Sequence, residues 1–135
     1  MSSKLIIFDL DDTLVRYGKK RKICVPRQTF HSLRDLHARG FTLVCVTYNC
    51  YGEMIANQCC LFKYISFLQY ARNIGDRSLV VRLVAQKYNS NNFSYFDDRK
   101  DNIEQVKLKF PNSSCIHVSN PLLLHKLIKS VVDES

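Results

Sequence analysis

Lys4-Leu5-Ile6-Ile7-Phe8-Asp9-Leu10-Asp11-Asp12-Thr13-Leu14 is the stretch that decides the fold. Leu5 to Phe8 is an apolar run without polar alternation, the pattern of a strand buried on both faces of a sheet. Asp9 closes that run, where an unpaired carboxylate is costly. Asp11 and Asp12 follow at once. An Asp after a strand is also a common helix N-cap, a role that Asp12 or Asp101 alone could fill. Asp9 with Asp11 asks for another explanation.

Outward from this stretch, the apolar pattern alternates between two periods. Lys4–Leu10, Phe41–Val46, Tyr64–Phe67, Phe93–Phe96 and Ser114–Val118 read as strands. Helices are expected between them: Arg27–Arg39 with Gly40 as its C-cap, then Gly52–Cys60. A third is lined by Leu79, Leu83 and also Val80 and Val84, and a fourth by Ile103, Val106 and Phe110. The last is lined by Leu123, Leu127 and Val131, with Asn120 and Pro121 opening it. Strand–helix alternation with apolar-run strands predicts a three-layer α/β/α sandwich around a parallel sheet of about five strands, in one domain over residues 1–135. In such sheets ligands bind beyond the carboxyl ends of the strands.

Composition narrows the class. At 135 residues and 46% hydrophobic content a core can form without disulfides or metal, which excludes a disordered chain. The apolar runs fall far short of the ~20 residues needed to span a membrane. The start of the chain leaves no room for a signal peptide before Asp9, so a cytoplasmic protein is expected. The six cysteines include no Cys-x-x-Cys pair, and none has Arg six positions on. A zinc ribbon and a cysteine-phosphatase loop are therefore unsupported, and the thiols read as small buried hydrophobes. The four histidines lack ligand spacing, and no Gly-rich phosphate loop is present.

The net charge of +8 is uneven, because Arg16, Lys19, Lys20, Arg21 and Lys22 cluster within seven residues. This cluster is compatible with a solvated loop, with attraction of anionic partners, or with a nuclear-localisation pattern that would add the nucleus to the cytoplasm. Charge alone does not choose.

Three strand exits carry the chemistry: Asp9 to Thr13, Thr47-Tyr48-Asn49, and Asp97-Asp98 through Asn102. Carboxylates crowded at one place repel each other and are stabilised by a hard cation, and Mg²⁺ favours few carboxylates plus water and a substrate phosphate. Phe8-Asp9-Leu10-Asp11-Asp12-Thr13-Leu14 resembles the first motif of the haloacid-dehalogenase-like phosphatases. Thr47 stands as the second motif, a basic residue opening a later helix as the third, and Asp97-Asp98 as the fourth. The resemblance runs along the whole chain and is to small, capless members typified by magnesium-dependent phosphatase; Cys115-Ile116-His117-Val118 shares in it.

That resemblance implies a Rossmann-like strand order and a short basic flap over residues 16–26 in place of a cap domain. It also implies a Mg²⁺-dependent phosphomonoesterase. Asp9 would be an always-ionised nucleophile forming an aspartyl-phosphate, and Asp11 the general acid and base. Mg²⁺ would be held by Asp9, the Asp11 carbonyl and Asp98, with Asp97 as a second ligand or an orienter. Thr47, with the amides of Tyr48 and Asn49, would hold phosphate oxygens; Thr13 would fix the loop and Asn102 would support Asp98. The third motif departs from the family's usual Lys: its matching place is Arg77, with Lys87 the alternative. Tyr48 is also larger than the residue common at its place, and could narrow the pocket or stack on an aromatic leaving group.

The basic flap, Lys19 and Lys20 included, is expected to overhang an open site and bind substrate. The expected partners are phosphorylated proteins, small molecules or nucleic-acid ends, and no membrane. Two alternatives stand beside this reading: a catalytically weak binding or regulatory module, and a nucleic-acid end phosphatase.

Overall fold

The computed structural model describes residues 4–19, 22–72 and 75–133. Five parallel strands make the sheet: β1 (Leu5–Asp9), β4 (Thr42–Thr47), β5 (Phe67–Tyr70), β6 (Ser94–Asp97) and β7 (Ser114–His117). Their spatial order is β5-β4-β1-β6-β7. β1, the most apolar strand, is therefore central, and every one of its residues is buried. The order reverses direction about β1, so its exit lies at the topological switch point, flanked by the exits of β4 and β6. The short strands β2 (Arg16–Tyr17) and β3 (Ile23–Cys24) form an antiparallel hairpin between β1 and the first helix. No cap-sized insertion occurs among the described residues.

The helices are α1 (Arg27–Ala38), α2 (Gly52–Gln58), α3 (Arg77–Lys87), α4 (Lys100–Lys109) and α5 (Leu124–Asp133). One core layer packs α1, α2 and α5 against Phe8, Leu10, Cys45 and Phe96. The other packs α3 and α4 against Ile7, Val44, Val46 and Tyr95. Alternate residues of β1 thus enter opposite layers, as a doubly covered strand requires.

Four expectations need correction. Of the thiols read as buried, only Cys45 is, while Cys59 and Cys115 are half-buried and Cys24, Cys50 and Cys60 are exposed. The third large strand is Phe67–Tyr70, not Tyr64–Phe67: Leu61–Lys63 makes a 3-10 turn and Ile65 N–H still bonds back to Leu61, so pairing begins only when Ser66 N–H reaches Leu43. In α3 the buried face carries Val80, Val81 and Val84, while Leu79 and Leu83 are about half exposed. Arg77 sets that rotation: its side chain points into the sheet, and residues three, four and seven positions on share its face. In α5 the buried residues are Leu124, Ile128 and Val132, while Leu123 is exposed and Leu127 and Val131 pack partly against the core. There Asn120 caps a 3-10 turn, Pro121–Leu123, which advances the helix start and shifts the buried stripe by one residue.

Candidate active site

Asp9 stands at the last position of β1, with only 9% of its surface exposed. Its Oδ1 accepts from Arg77 Nη2 at 2.5 Å and its Oδ2 from Thr13 Oγ1 at 3.3 Å. Beyond it the chain turns tightly. Leu10 O accepts from the N–H groups of Thr13, Leu14 and Val15, and Asp12 takes the left-handed φ of 59° that a short polar side chain tolerates. The turn folds Thr13 back under Asp9 and presents Asp11 to the cavity. Asp11 is held by the Tyr17 hydroxyl from the hairpin and by Asn49 Nδ2 at 3.3 Å.

Arg77, 1% exposed, is the hub. Besides Asp9, its Nε donates to Tyr95 Oη at 2.9 Å, and Nη2 reaches Val46 O at 3.3 Å. Tyr95 in turn donates to Asp97 Oδ2, which lies 3.6 Å from Arg77 Nε. The Arg77 guanidinium also lies over the Tyr48 ring, 4.5 Å from its centroid. Gln105 Oε1 accepts the Arg77 backbone N–H at 2.8 Å, and Asp76 caps α3 through Ser78 N–H. Lys87, the alternative for the third motif, is exposed at the far end of α3 over the Phe67 ring.

Asp9, Asp97 and Asp98 each offer one oxygen, and these atoms lie within 4.8 Å of one another. Asp97 is fixed by Arg99 N–H at 2.9 Å and Asn102 Nδ2 at 3.0 Å. Asn102 therefore supports Asp97 and not Asp98; what steadies Asp98 is His117, whose Nε2 meets the Asp98 carbonyl at 2.9 Å.

Burial foremost, and then the Asp97 charge, pushes the Asp9 carboxyl well above the usual carboxylate range, against the opposing pull of Arg77. Burial also raises Asp98. Asp9 is thus not ionised merely because it is an aspartate; its ionised form needs cationic company. An all-oxygen, acidic, partly desolvated donor set fits a hard divalent cation.

A carboxyl with a raised folded-state pKa binds its proton more tightly in the folded than in the unfolded chain. Its stabilising contribution is complete below the unfolded value and is lost as pH rises through the folded one. In EDTA, the thermal midpoint should therefore fall more steeply with rising pH above the ordinary carboxylate range in the parent than in Asp9→Asn. Parallel slopes for the two proteins would count against the raised pKa.

One cavity of about 250 Å³ is lined by Asp9, Asp11, Tyr48, Asn49, Arg77 and Asp98, together with Asp12, Arg99 and Asn102. Thr13, Thr47 and Asp97 lie buried behind it. Thr47 Oγ1 accepts Asn49 N–H at 3.0 Å, which bends the β4 exit toward the cavity. Gly52 makes this bend fit, since a Cβ there would stand 2.6 Å from Thr47 Cγ2. Lys19 is exposed and does not line the cavity; Lys20 lies outside the described residues.

The sequence assigns no site role to Tyr17, Tyr95 or His117, although His117 stands in the Cys115–Val118 segment that shares the family resemblance. Tyr95 and His117 carried one available signal, their places at or near the ends of predicted strands; Tyr17, inside the basic flap, carried none.

No family model matches this chain, and no curated protein matches it in sequence. Solved structures do match. One is the N-terminal part, containing a phosphatase domain complexed with Mg, of a Bacteroides fragilis protein: TM-score 0.71, 16% identity, 94% of this chain and 40% of that one. Another is a hydrolase of the haloacid-dehalogenase superfamily from Ehrlichia chaffeensis, with TM-score 0.73, 11% identity and coverage of 98% and 99%. A third is 3-deoxy-D-manno-octulosonate 8-phosphate phosphatase from Moraxella catarrhalis in complex with magnesium, phosphate and its sugar acid. Its TM-score is 0.63 at 13% identity, covering 97% of this chain and 86% of that one. At these identities the likeness is one of fold. The chain has the fold of the haloacid-dehalogenase-like hydrolases, and it spans less than half of the first of these structures. Among the described residues no helix is long and apolar enough to cross a membrane.

Proposed function

We propose that this chain is a Mg²⁺-dependent phosphomonoesterase acting through an aspartyl-phosphate on Asp9. The observation that carries the reading is the Arg77-clamped Asp9, with oxygens of Asp97 and Asp98 within 4.8 Å and Asp11 on the same cavity. The solved structures with magnesium at the same fold support it. Asp9, Asp98 and Asp97 would hold the ion, with the Asp11 carbonyl as a further ligand. When bound, it supplies positive charge against the carboxylates and the phosphoryl oxygens.

The chain's own groups do the rest. An Asp9 oxygen attacks phosphorus, the ester P–O bond breaks, and Asp11 gives its proton to the departing alkoxide. Water then attacks the phosphorus and passes a proton to Asp11, and the bond to Asp9 breaks, releasing inorganic phosphate. Arg77 orients Asp9 and balances charge; Tyr17 and Asn49 aim Asp11. Thr47 and the amides of Tyr48 and Asn49 are proposed to hold phosphoryl oxygens, the Asn49 N–H exchanging its bond to Thr47 Oγ1 for one to phosphate. The test is phosphate release from p-nitrophenyl phosphate, expected with Mg²⁺ and lost in EDTA. Absence of turnover with Mg²⁺, Mn²⁺ or Co²⁺ would favour the binding-module reading.

An uncapped cavity suits phosphorylated proteins or nucleic-acid ends as well as small molecules. The hairpin adjoins the site through Tyr17 and carries exposed Lys19 and Lys22. Cations flanking an open site raise capture of polyanions more than the chemical step. Neutralising Lys19 to Lys22 is expected to raise KM for a polyanionic phosphosubstrate and flatten its salt dependence, with p-nitrophenyl phosphate far less affected. Identical kinetics on both substrates at low salt would refute the steering role.

A further inference from the structure

A second cavity of about 340 Å³ shares one wall, Tyr48, with the carboxylate cavity. Its other apolar walls are Ala71, Leu79, Val80 and Leu83, while Arg72 and Arg82 stand at its border. Its volume lies within the range of small-ligand sites, about 300–1,000 Å³. The two leucines are four residues apart on the outer face of α3 and are 54% and 50% exposed. They stand on the helix whose first residue, Arg77, touches Asp9. One rigid element thus faces the carboxylates at its N-terminus and presents a greasy stripe beside them.

We infer that this cavity binds the leaving group of the substrate, and that the group is an aromatic or apolar body bearing an anionic substituent. The apolar half follows from Tyr48, Ala71, Leu79 and Leu83. The anionic half follows from charge: Arg72 and Arg82 are exposed and neither is ion-paired among the described residues, whereas the acid lining the cavity, Asp76, is engaged in capping α3. Tyr48 is fixed as the divider, with Arg77 stacked on its ring and its hydroxyl 3.5 Å from Gly75 O. An ester held by phosphorus at Asp9 would pass its organic part over Tyr48 into this cavity. The assignment rests on the phosphomonoesterase reading for the meaning of "leaving group", but not for the existence of the site.

The test has two arms. In the kinetic arm, kcat/KM is measured for 6-sulfo-2-naphthyl phosphate and for methyl phosphate. The ratio should fall about tenfold in Leu79→Ser/Leu83→Ser, as expected for losing most of one side chain's worth of apolar contact. It should fall again in Arg72→Gln/Arg82→Gln. Leu108→Ser, on a lone exposed leucine of α4, should leave the ratio where it was. In the binding arm, 2-naphthalenesulfonate is titrated into the same proteins and followed by calorimetry. Binding by the parent that is weakened about tenfold in the leucine variant supports the site even if no phosphate ester is hydrolysed, in which case only the phosphatase reading fails. Equal binding by parent and variant, or none by the parent, overturns it. A change in sedimentation of the leucine variant with an unaltered ratio would identify the patch as a face between two copies and would also overturn it.

Discussion

Replacing Asp9 with Asn is expected to abolish phosphate release, by a factor on the order of 10³ or more. The carboxamide is nearly the same shape. Its oxygen can still accept from Arg77, and β1, buried at every position, does not depend on the charge. Far-ultraviolet circular dichroism should therefore match the parent's. The variant should also show a smaller thermal shift on adding Mg²⁺, because one of the three clustered carboxylates is gone. Retained turnover of p-nitrophenyl phosphate by well-folded Asp9→Asn would end the nucleophile assignment. Retained turnover that also persists in EDTA would point to a contaminating hydrolase.

The parts of this molecule that were legible beforehand are those in which one residue's chemistry contradicts its local pattern. Asp9 after four apolar residues is such a contradiction, and so is Asp97 at the end of a buried strand; both resolve at the strand exits. The parallel sheet was legible because runs such as Leu43–Val46 cannot leave a face exposed. Residues whose pattern agrees with a bland reading stayed hidden. Tyr95 looks like a core aromatic, and it is one, except that its hydroxyl joins Arg77 to Asp97. Leu79 and Leu83 compete with Val80 and Val84 for the same helix, and both pairs are four apart. Apolar spacing cannot separate them. The rotation is decided by Arg77 seeking Asp9 across 68 positions of sequence, a long-range fact. Tyr17 was equally out of reach, because only the hairpin's folding brings it to Asp11.

Arg77 also furnishes the second large effect. Arg77→Ala would leave Asp9 and Asp97 without their buried cation, and removing one partner of a buried pair typically costs about 3–5 kcal/mol. The loss should be read as a lowered urea midpoint. It should be largest in EDTA and smaller with Mg²⁺, since a cation between Asp9, Asp97 and Asp98 would relieve part of the same repulsion. Arg77→Lys is the sharper variant. A single ammonium on a flexible stem cannot serve Asp9, Tyr95 and the Val46 carbonyl at once, as the guanidinium fork does. Lysine should therefore recover much of the stability lost in the alanine variant but leave Tyr95 Oη without its donor. If phosphoryl transfer needs only a positive charge beside Asp9, Arg77→Lys will keep turnover within about tenfold of the parent, roughly the size of one modest interaction. If the arginine serves instead to restrain Asp9 in a binding module, the lysine variant will gain turnover by more than about tenfold, because the clamp on Asp9 is loosened. Measured side by side in Mg²⁺, the size of that single change separates an enzyme that needs only a cation beside Asp9 from a fold restrained by its arginine.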